Sequence, residues 1–366
     1  MSTPDDHLQR ATFAPTETRP YRLLDPQGVL LTGERPPMSV ELARQALWWM
    51  ILSRRLDDWG TRLQRMGRIG LYGPLHGQEA STVGTASVLD HGIDWLVPAY
   101  REQAAWLLHG LPLETLMAIY MGKLEAGKIP DALKMLLRQQ SVAAQLPHAV
   151  GLAWAQLLRK TGAIVMVYCG EGATSEGDFH EACNLAGVLR APVVFVVQNN
   201  AWALSTPFAK QTASRALAAR APGYGFVGYQ VDGNDLFAVN KVAQLAAVRA
   251  RSGEGPTLIE NVTYRVGFHN TSDNPDLYRS RVEVEEAVQL DPILRVERYL
   301  SANGAWTEKE AAETRSRADE VIKAAIKAAG EQRASEWTDV FEHAYGEAPV
   351  RLARQRSALE SEVMGN

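Results

Sequence analysis

The sequence predicts an α/β protein built on a doubly wound parallel sheet, and three observations carry that expectation. Short, largely apolar runs recur at Ala163 to Cys169, Pro192 to Val197, Gly228 to Val231 and Pro256 to Val262, as in strands buried on both faces of a sheet. Segments with helical spacing, about 176 to 189 and 236 to 252, fill the gaps between them. The chain has 366 residues, 46% hydrophobic and 22% charged, the balance of a globular protein with a sizeable core. At about 150 residues per domain, that length suits two domains or one large domain with an appendage.

Taken in order, residues 1–20 read as a flexible N-terminal arm, polar and proline-bearing. Tyr21 to Gly33 reads as an extended ribbon turning at Asp25-Pro26-Gln27-Gly28. From Ser39 to Gly67, Leu42, Ala46, Leu47, Met50, Ile51, Leu56 and Leu63 fall at helical spacing, with Ser39 and Glu41 as a start signal, so one long amphipathic helix is expected. A glycine-rich loop, Gly70 to Pro74, is followed by helical patterns over His76 to Val88, Arg101 to His109 and Pro112 to Met121. The α/β unit is expected over 21–290. Beyond Asp291-Pro292 the chain reads as a helical segment, 291–366, serving as a subunit interface, with helices over Ile293 to Leu300, Glu308 to Gly330 and Trp337 to Glu362.

Composition excludes several function classes. Thirty-eight Lys and Arg against 42 Asp and Glu leave a net charge of -4, which provides no basic field for nucleic acid. The longest apolar runs fall far short of the roughly 20 residues of a membrane helix, and no secretory signal opens the chain. The two cysteines, Cys169 and Cys183, have no metal spacing and read as reduced core thiols, which suits the cytoplasm.

Chemistry concentrates in Val167 to Ser205, VYCGEGATSEGDFHEACNLAGVLRAPVVFVVQNNAWALS. Gly170 and Gly172 flank Glu171 directly after a buried strand, and the next strand ends in Asn199-Asn200. Thr174 or Ser175 is expected to cap the following helix, with Glu176 and Asp178 in its first turn. Two neighbouring parallel strands would thus bring a carboxylate and an amide oxygen to one place. A few oxygen ligands with room for water and phosphate oxygens are what Mg²⁺ accepts when it bridges a diphosphate to protein. A nicotinamide-binding turn fits worse, because the acid lies between the glycines and Gly177 comes late. A phosphate-binding P-loop fails because Asp178 stands where a lysine is required. The bland reading is a strand-to-helix turn plus an unrelated Asn-Asn loop.

This Gly-acid-Gly stretch ending in Asn-Asn resembles the thiamin diphosphate motif. The larger pattern resembles the alpha subunit of the decarboxylating component of 2-oxo acid dehydrogenase complexes. The resemblance spans nearly the whole chain: YRLLDPQGVL, GLYGPLHGQEA at 70–80, Pro98-Ala99-Tyr100-Arg101, QLPHAVG at 145–151, the core motif, VDGND at 231–235, TYRVGFHNTSDNPDLYRS at 263–280, and a tail near 339–359. It implies a thiamin diphosphate-binding fold in which Glu171, Asn200 and the main-chain carbonyl of Trp202 hold Mg²⁺. It further implies that Tyr100, Arg101, Gly170, Gly172, Ala173, Asn200 and His269 contact the cofactor. His269, in the polar loop HNTSDNP, is the residue expected to assist acyl transfer to lipoamide. His76 and His180 are assigned structural or supporting places.

The resemblance also implies partners: a beta subunit that completes the cofactor site, in an α₂β₂ assembly, and the lipoyl domain of a dihydrolipoyl acyltransferase. The chain alone would then be inactive. Glu171 and TYRVGFHNTSD favour a branched-chain 2-oxo acid such as 2-oxoisovalerate, whereas GLYGPLHGQEAS and Gly127 to Pro130 favour pyruvate. The branched-chain assignment is preferred. The family's potassium loop, Ser-Pro-Leu-Ala-Thr-Gln, is replaced by Gln140-Ser141-Val142-Ala143-Ala144-Gln145, and Asn270 stands where mammalian branched-chain members carry a phosphoserine. The rival readings are an assembly subunit that has lost its chemistry, and a self-contained thiamin decarboxylase, for which 366 residues are too few.

Overall fold

The computed structural model describes residues 19–342 and 345–364. The arm expected over 1–20 therefore lies, but for its last two residues, outside the described residues. Tyr21 to Leu30 forms the expected ribbon: Leu24 bridges Leu30, Gly28 takes a φ of 80°, and Tyr21 pairs in parallel with Val231. The long helix α1, Val40–Arg65, is capped by Ser39, whose Oγ accepts from Leu42 N at 3.2 Å.

The next elements are α2 (Glu79–Ala86), β1 (Trp95–Val97), α3 (Gln103–Leu108), α4 (Leu113–Tyr120), α5 (Gln145–Arg159), β2 (Val165–Gly170), α6 (Gly177–Leu189) and β3 (Val193–Asn199). The chain continues through β4 (Val227–Asp232), α7 (Leu236–Arg251), β5 (Thr257–Val262), α8 (Arg281–Val288), α9 (Pro292–Ala302), α10 (Glu308–Glu331) and α11 (Val350–Met364). The five strands make one parallel sheet in the order β1-β2-β3-β5-β4.

All four expected strands form, and in β2 and β3 the side chains are largely apolar toward both faces. Val165, Val167, Val193, Phe195 and Val197 enter one core with α5 and α6, while Met166, Tyr168, Val194 and Val196 enter the other with α1, α2 and α7. The order in which the chain adds strands reverses at β3 and β5, which places a crevice beyond the carboxyl ends of those parallel strands. In register, Gly170 lies beside Gln198 and Asn199 beside Val262. The loops that follow β2, β3 and β5 therefore open side by side.

Four local expectations are corrected. The helix expected from His76 starts only at Glu79, because Gly77 adopts a φ of 93° that breaks the helical path. Neither Thr174 nor Ser175 caps α6; Thr174 Oγ1 donates to Glu171 O at 2.8 Å inside a 3₁₀ turn over Glu171–Ser175, and Glu176 occupies the N-cap without a side-chain bond. Glu176 is therefore outside the first turn, whereas Asp178 is within it. The pattern over Trp337 to Glu362 is not one helix: it divides into a turn at Asp339–Glu342 and α11, with Pro349 between them.

Two buried acids fasten the periphery to the sheet. Asp235 caps α7 through Phe237 N at 2.9 Å and Ala238 N at 3.2 Å, and its other oxygen accepts from Leu23 N at 2.6 Å and Leu24 N at 2.7 Å. Asp232 accepts from Arg295 on α9 at 3.0 Å and from Arg22 at 2.7 Å. Helix α10 buries Ala318, Ile322, Ala325 and Ile326 in the same core as α1 and α4. At Gly77, a β-carbon would lie 2.3 Å from Tyr264 O, so only glycine lets the start of α2 close on the end of β5. Gly77→Ala is expected to cost about 3 kcal/mol of stability, from a strained φ plus overpacking. Urea unfolding should show this as a shifted midpoint, and an unchanged midpoint would contradict the packing described.

Candidate active site

A cavity of about 360 Å³ opens at the carboxyl ends of β2 and β3, within the size range of small-molecule sites. All nine residues singled out from the sequence line it: Tyr100, Arg101, Gly170, Glu171, Gly172, Ala173, Asn200, Trp202 and His269. His76 and His180 do not. His180 instead pairs with the Tyr224 hydroxyl, and His76 O accepts from Val266 N at 3.2 Å.

Glu171 is positioned by the tight turn that ends β2. A β-carbon on Gly172 would lie 2.8 Å from Ala203 Cβ, whereas one on Gly170 would meet nothing within 4 Å. Glycine thus lets the turn pack against the hairpin Trp202–Ala203 and Thr206–Pro207. Glu171 is 2% exposed, and desolvation holds its carboxyl above the usual range. Its hydrogen-bond donors are neutral: Gln211 Nε2 at 3.3 Å and Asn200 N at 3.4 Å. A buried carboxylate served only by neutral amides suits a cation in the adjoining space.

Asn200 follows β3 and is 6% exposed. Trp202 N donates to its Oδ1 at 3.3 Å, and its Nδ2 donates to Gln78 Oε1 at 3.1 Å. Ala201 and Leu204 take φ values of 72° and 53°, so the backbone around Trp202 holds conformations that cost non-glycine residues energy, as binding loops do. Among the described residues no group of three or more His, Cys, Asp and Glu side chains could hold a metal. A carboxylate and an amide oxygen remain, with the Trp202 carbonyl, which also accepts from Arg265 Nη1 at 3.0 Å, as a third oxygen; such donors fit a hard cation such as Mg²⁺.

His269 sits in the loop after β5. Its Nδ1 lies 3.3 Å from Arg101 Nη2 and 3.4 Å from Arg265 Nη1, its N–H donates to Asp273 at 2.7 Å, and its O accepts from Arg101 Nη2 at 2.9 Å. Two guanidiniums facing Nδ1 make that nitrogen an acceptor and assign the ring proton to Nε2. The Tyr100 ring stands edge-on to the imidazole at 6.0 Å, and the Arg101 guanidinium lies 5.4 Å from the Tyr100 ring centre. Arg101 also donates to Pro74 O, so it braces the loop before α2 while lining the cavity.

Sequence reasoning missed Arg265, Gln78, Glu102 and Gln198. Arg265 is fully buried and donates to Trp202 O at 3.0 Å, Leu204 O at 2.7 Å and the Tyr278 hydroxyl at 2.7 Å. It therefore ties the hairpin after β3 to the loop carrying His269. Tyr278 in turn donates to Asp273 at 2.6 Å. Glu102 is 2% exposed, accepts from Gln198 Nε2 at 2.6 Å, and is pushed up to about 7 by burial. One signal was present: Gln198 interrupts an apolar run at a strand end, and a polar residue in a buried strand needs a partner.

The dehydrogenase E1 component family model matches residues 48–337. The 3-methyl-2-oxobutanoate dehydrogenase subunit alpha of Mycobacterium tuberculosis is 39% identical over 351 residues, covering 95% of each chain. The pyruvate dehydrogenase E1 component subunit alpha of Staphylococcus aureus is 38% identical over 340 residues, covering 91% of this chain and 90% of that one. The Staphylococcus epidermidis protein of the same name is 37% identical over the same length.

The His269 surroundings make a quantitative expectation. Desolvation first, then the Arg101 and Arg265 charges, push its imidazole down to about 4, with Asp273 opposing. In the unfolded chain the ring titrates near 6.5. The unfolded state therefore takes up the proton first, and His269 draws down stability as pH falls from about 6.5 toward 4. Histidine NMR on the full chain should show His269 neutral, protonated at Nε2, at pH 5.5; a midpoint near 6.5 would contradict the two-arginine environment.

Proposed function

The chain belongs to the dehydrogenase E1 component family, and on that premise we infer that it acts on a branched-chain 2-oxo acid, with Mg²⁺ and thiamin diphosphate in the cavity beyond β2 and β3. Its relatives are E1 alpha subunits of 2-oxo acid dehydrogenases, a family that depends on thiamin diphosphate, and an alpha subunit implies a beta subunit. The observation that carries the reading is the pairing of buried Glu171 with Asn200 at the tips of adjacent strands, inside the one cavity that also receives Arg101 and His269.

When bound, thiamin diphosphate supplies a nucleophilic carbon and an electron sink for loss of CO₂. This chain's own groups do the rest. Glu171, Asn200 Oδ1 and the Trp202 carbonyl would hold the cation, with Gly170, Gly172 and Ala173 leaving room beside it. Arg101 and Tyr100 bring positive charge and a hydroxyl to the lining of the same cavity, suited to phosphate oxygens. Neutral His269 would hold a proton at Nε2 and deliver it as the acyl group passes to a lipoyl disulfide. The beta subunit would complete the site in an α₂β₂ assembly that a lipoyl domain of an acyltransferase visits. The buried free thiols of Cys169 and Cys183 accord with a cytoplasmic setting. No helix of the described residues is long and apolar enough to cross a membrane.

Pyruvate is the second reading, favoured by the nearly equal identity to the pyruvate dehydrogenase subunits. Val142, Ala143 and Leu204 line the cavity with apolar surface, and such a pocket discriminates by only about 1 to 3 kcal/mol per methylene.

Co-expression with its beta partner and reduction of an artificial electron acceptor compares the two substrates directly. 2-Oxoisovalerate should give the higher kcat/KM; equal values, or a preference for pyruvate, would reject the substrate assigned here. Glu171→Ala should weaken Mg²⁺-dependent thiamin diphosphate binding by about 100-fold or more. In His269→Ala, lipoyl acylation should fall by about 100-fold or more, with a smaller loss in the artificial-acceptor assay. Absence of any cofactor binding by the wild-type complex would leave an assembly subunit without chemistry.

A further inference from the structure

The cavity contains an amide that the groups above leave without a purpose. Gln78 is 0% exposed and stands at the start of α2, yet its side chain makes no capping bond to that helix. Gln78 lines the cavity instead, and its buried Nε2 has no hydrogen-bond partner among the described residues. Leaving a buried N–H₂ unpaired is costly, so natural sites rarely retain one without an acceptor.

The orientation of that amide follows from an unambiguous donor. Trp202 N–H can only donate, and it meets one side-chain atom of Asn200 at 3.3 Å, which must therefore be Oδ1. The other atom, Nδ2, then faces Gln78 at 3.1 Å and requires an oxygen there. Gln78 Oε1 is thereby turned toward Asn200, and Nε2 is left as the unpartnered donor of a residue that lines the cavity. Reversing Gln78 would oppose two N–H₂ groups.

The backbone that carries Gln78 is fixed on both sides. Gly77 O accepts from Thr263 Oγ1 at 2.6 Å, and Gln78 N donates to Leu75 O at 2.9 Å. The peptide that carries the amide is therefore held in place, and the side chain itself is held by Asn200. Among the cavity-lining side chains two have an orphaned buried polar atom, Gln78 Nε2 and Gln145 Oε1. Only the first is a donor, and its residue hydrogen-bonds Asn200, so the acceptor it awaits belongs with the cation and its anionic ligand.

We propose that Gln78 is a further binding residue of this site, with two tasks: Oε1 holds Asn200 with its oxygen free for the cation, and Nε2 donates to an anionic oxygen of the diphosphate. This rests on the cofactor assignment made above. It adds a neutral donor beside the cation, which fixes the direction of an oxygen that charge alone would leave free to rotate.

The test uses the full chain purified with its beta partner and two variants. Q78M removes both tasks. Q78E keeps an oxygen toward Asn200 but replaces the donor with a charge. Calorimetric binding of thiamin diphosphate with Mg²⁺ should weaken about 10- to 100-fold in Q78M and at least as much in Q78E. Thiamin monophosphate affinity should change much less, and KM for the cofactor should rise. A merely structural role would lower both affinities together. If Q78E binds the diphosphate as the wild type does, the donor role is overturned and Gln78 only orients Asn200. If Q78M does not fold, Q78E alone decides. If the wild type binds no cofactor, the functional reading itself falls and takes this inference with it.

Discussion

The architecture of the site turns on one buried carboxylate. Glu171 is removed from water at the end of β2, receives only neutral donors, and lines one cavity with Asn200 and Trp202. Such an arrangement stores an unmet demand for positive charge, because a desolvated carboxylate is far less stable without a cation than with one. The flanking glycines, the hairpin after β3 and its left-handed residues are all arranged around that demand. In the function proposed above, a divalent cation would meet that demand.

Positive charge already present in the site is spent elsewhere. Arg265 is fully buried, but its donors go to the Trp202 and Leu204 carbonyls and to Tyr278, and its Nη1 also faces His269. Arg101 divides itself between Pro74 and His269. Neither guanidinium forms a hydrogen bond with Glu171. Instead they join three loops, those before α2, after β3 and after β5, into one frame, and they keep the imidazole neutral. The hairpin after β3 and the loop that carries His269 are consequently joined through side chains already present in the chain.

Much of this was legible in the sequence. The buried strands are apolar toward both faces, so β2 to β5 could be placed from composition alone, and Gly170-Glu171-Gly172 with Asn200 marked the tips of β2 and β3. The parts that escaped depend on long-range contacts. β1 is only three residues long and leaves no periodic trace. The start of α2 depends on Gly77 meeting Tyr264, a contact nearly two hundred positions away in the chain. The cap expected from Thr174 failed because a hydroxyl can serve a local 3₁₀ turn as readily as a helix start. Arg265 lies four residues before His269 and reads as an ordinary basic residue until the fold brings the hairpin carbonyls to it.

The account stands most directly on where the cation sits. A crystal of the chain with its beta partner, grown with Mn²⁺ and thiamin diphosphate, would show the ion by its anomalous scattering. The account requires a single peak ligated by a Glu171 carboxylate oxygen, Asn200 Oδ1 and the Trp202 carbonyl. A peak elsewhere in the cavity, or one that leaves Glu171 unligated, would contradict it.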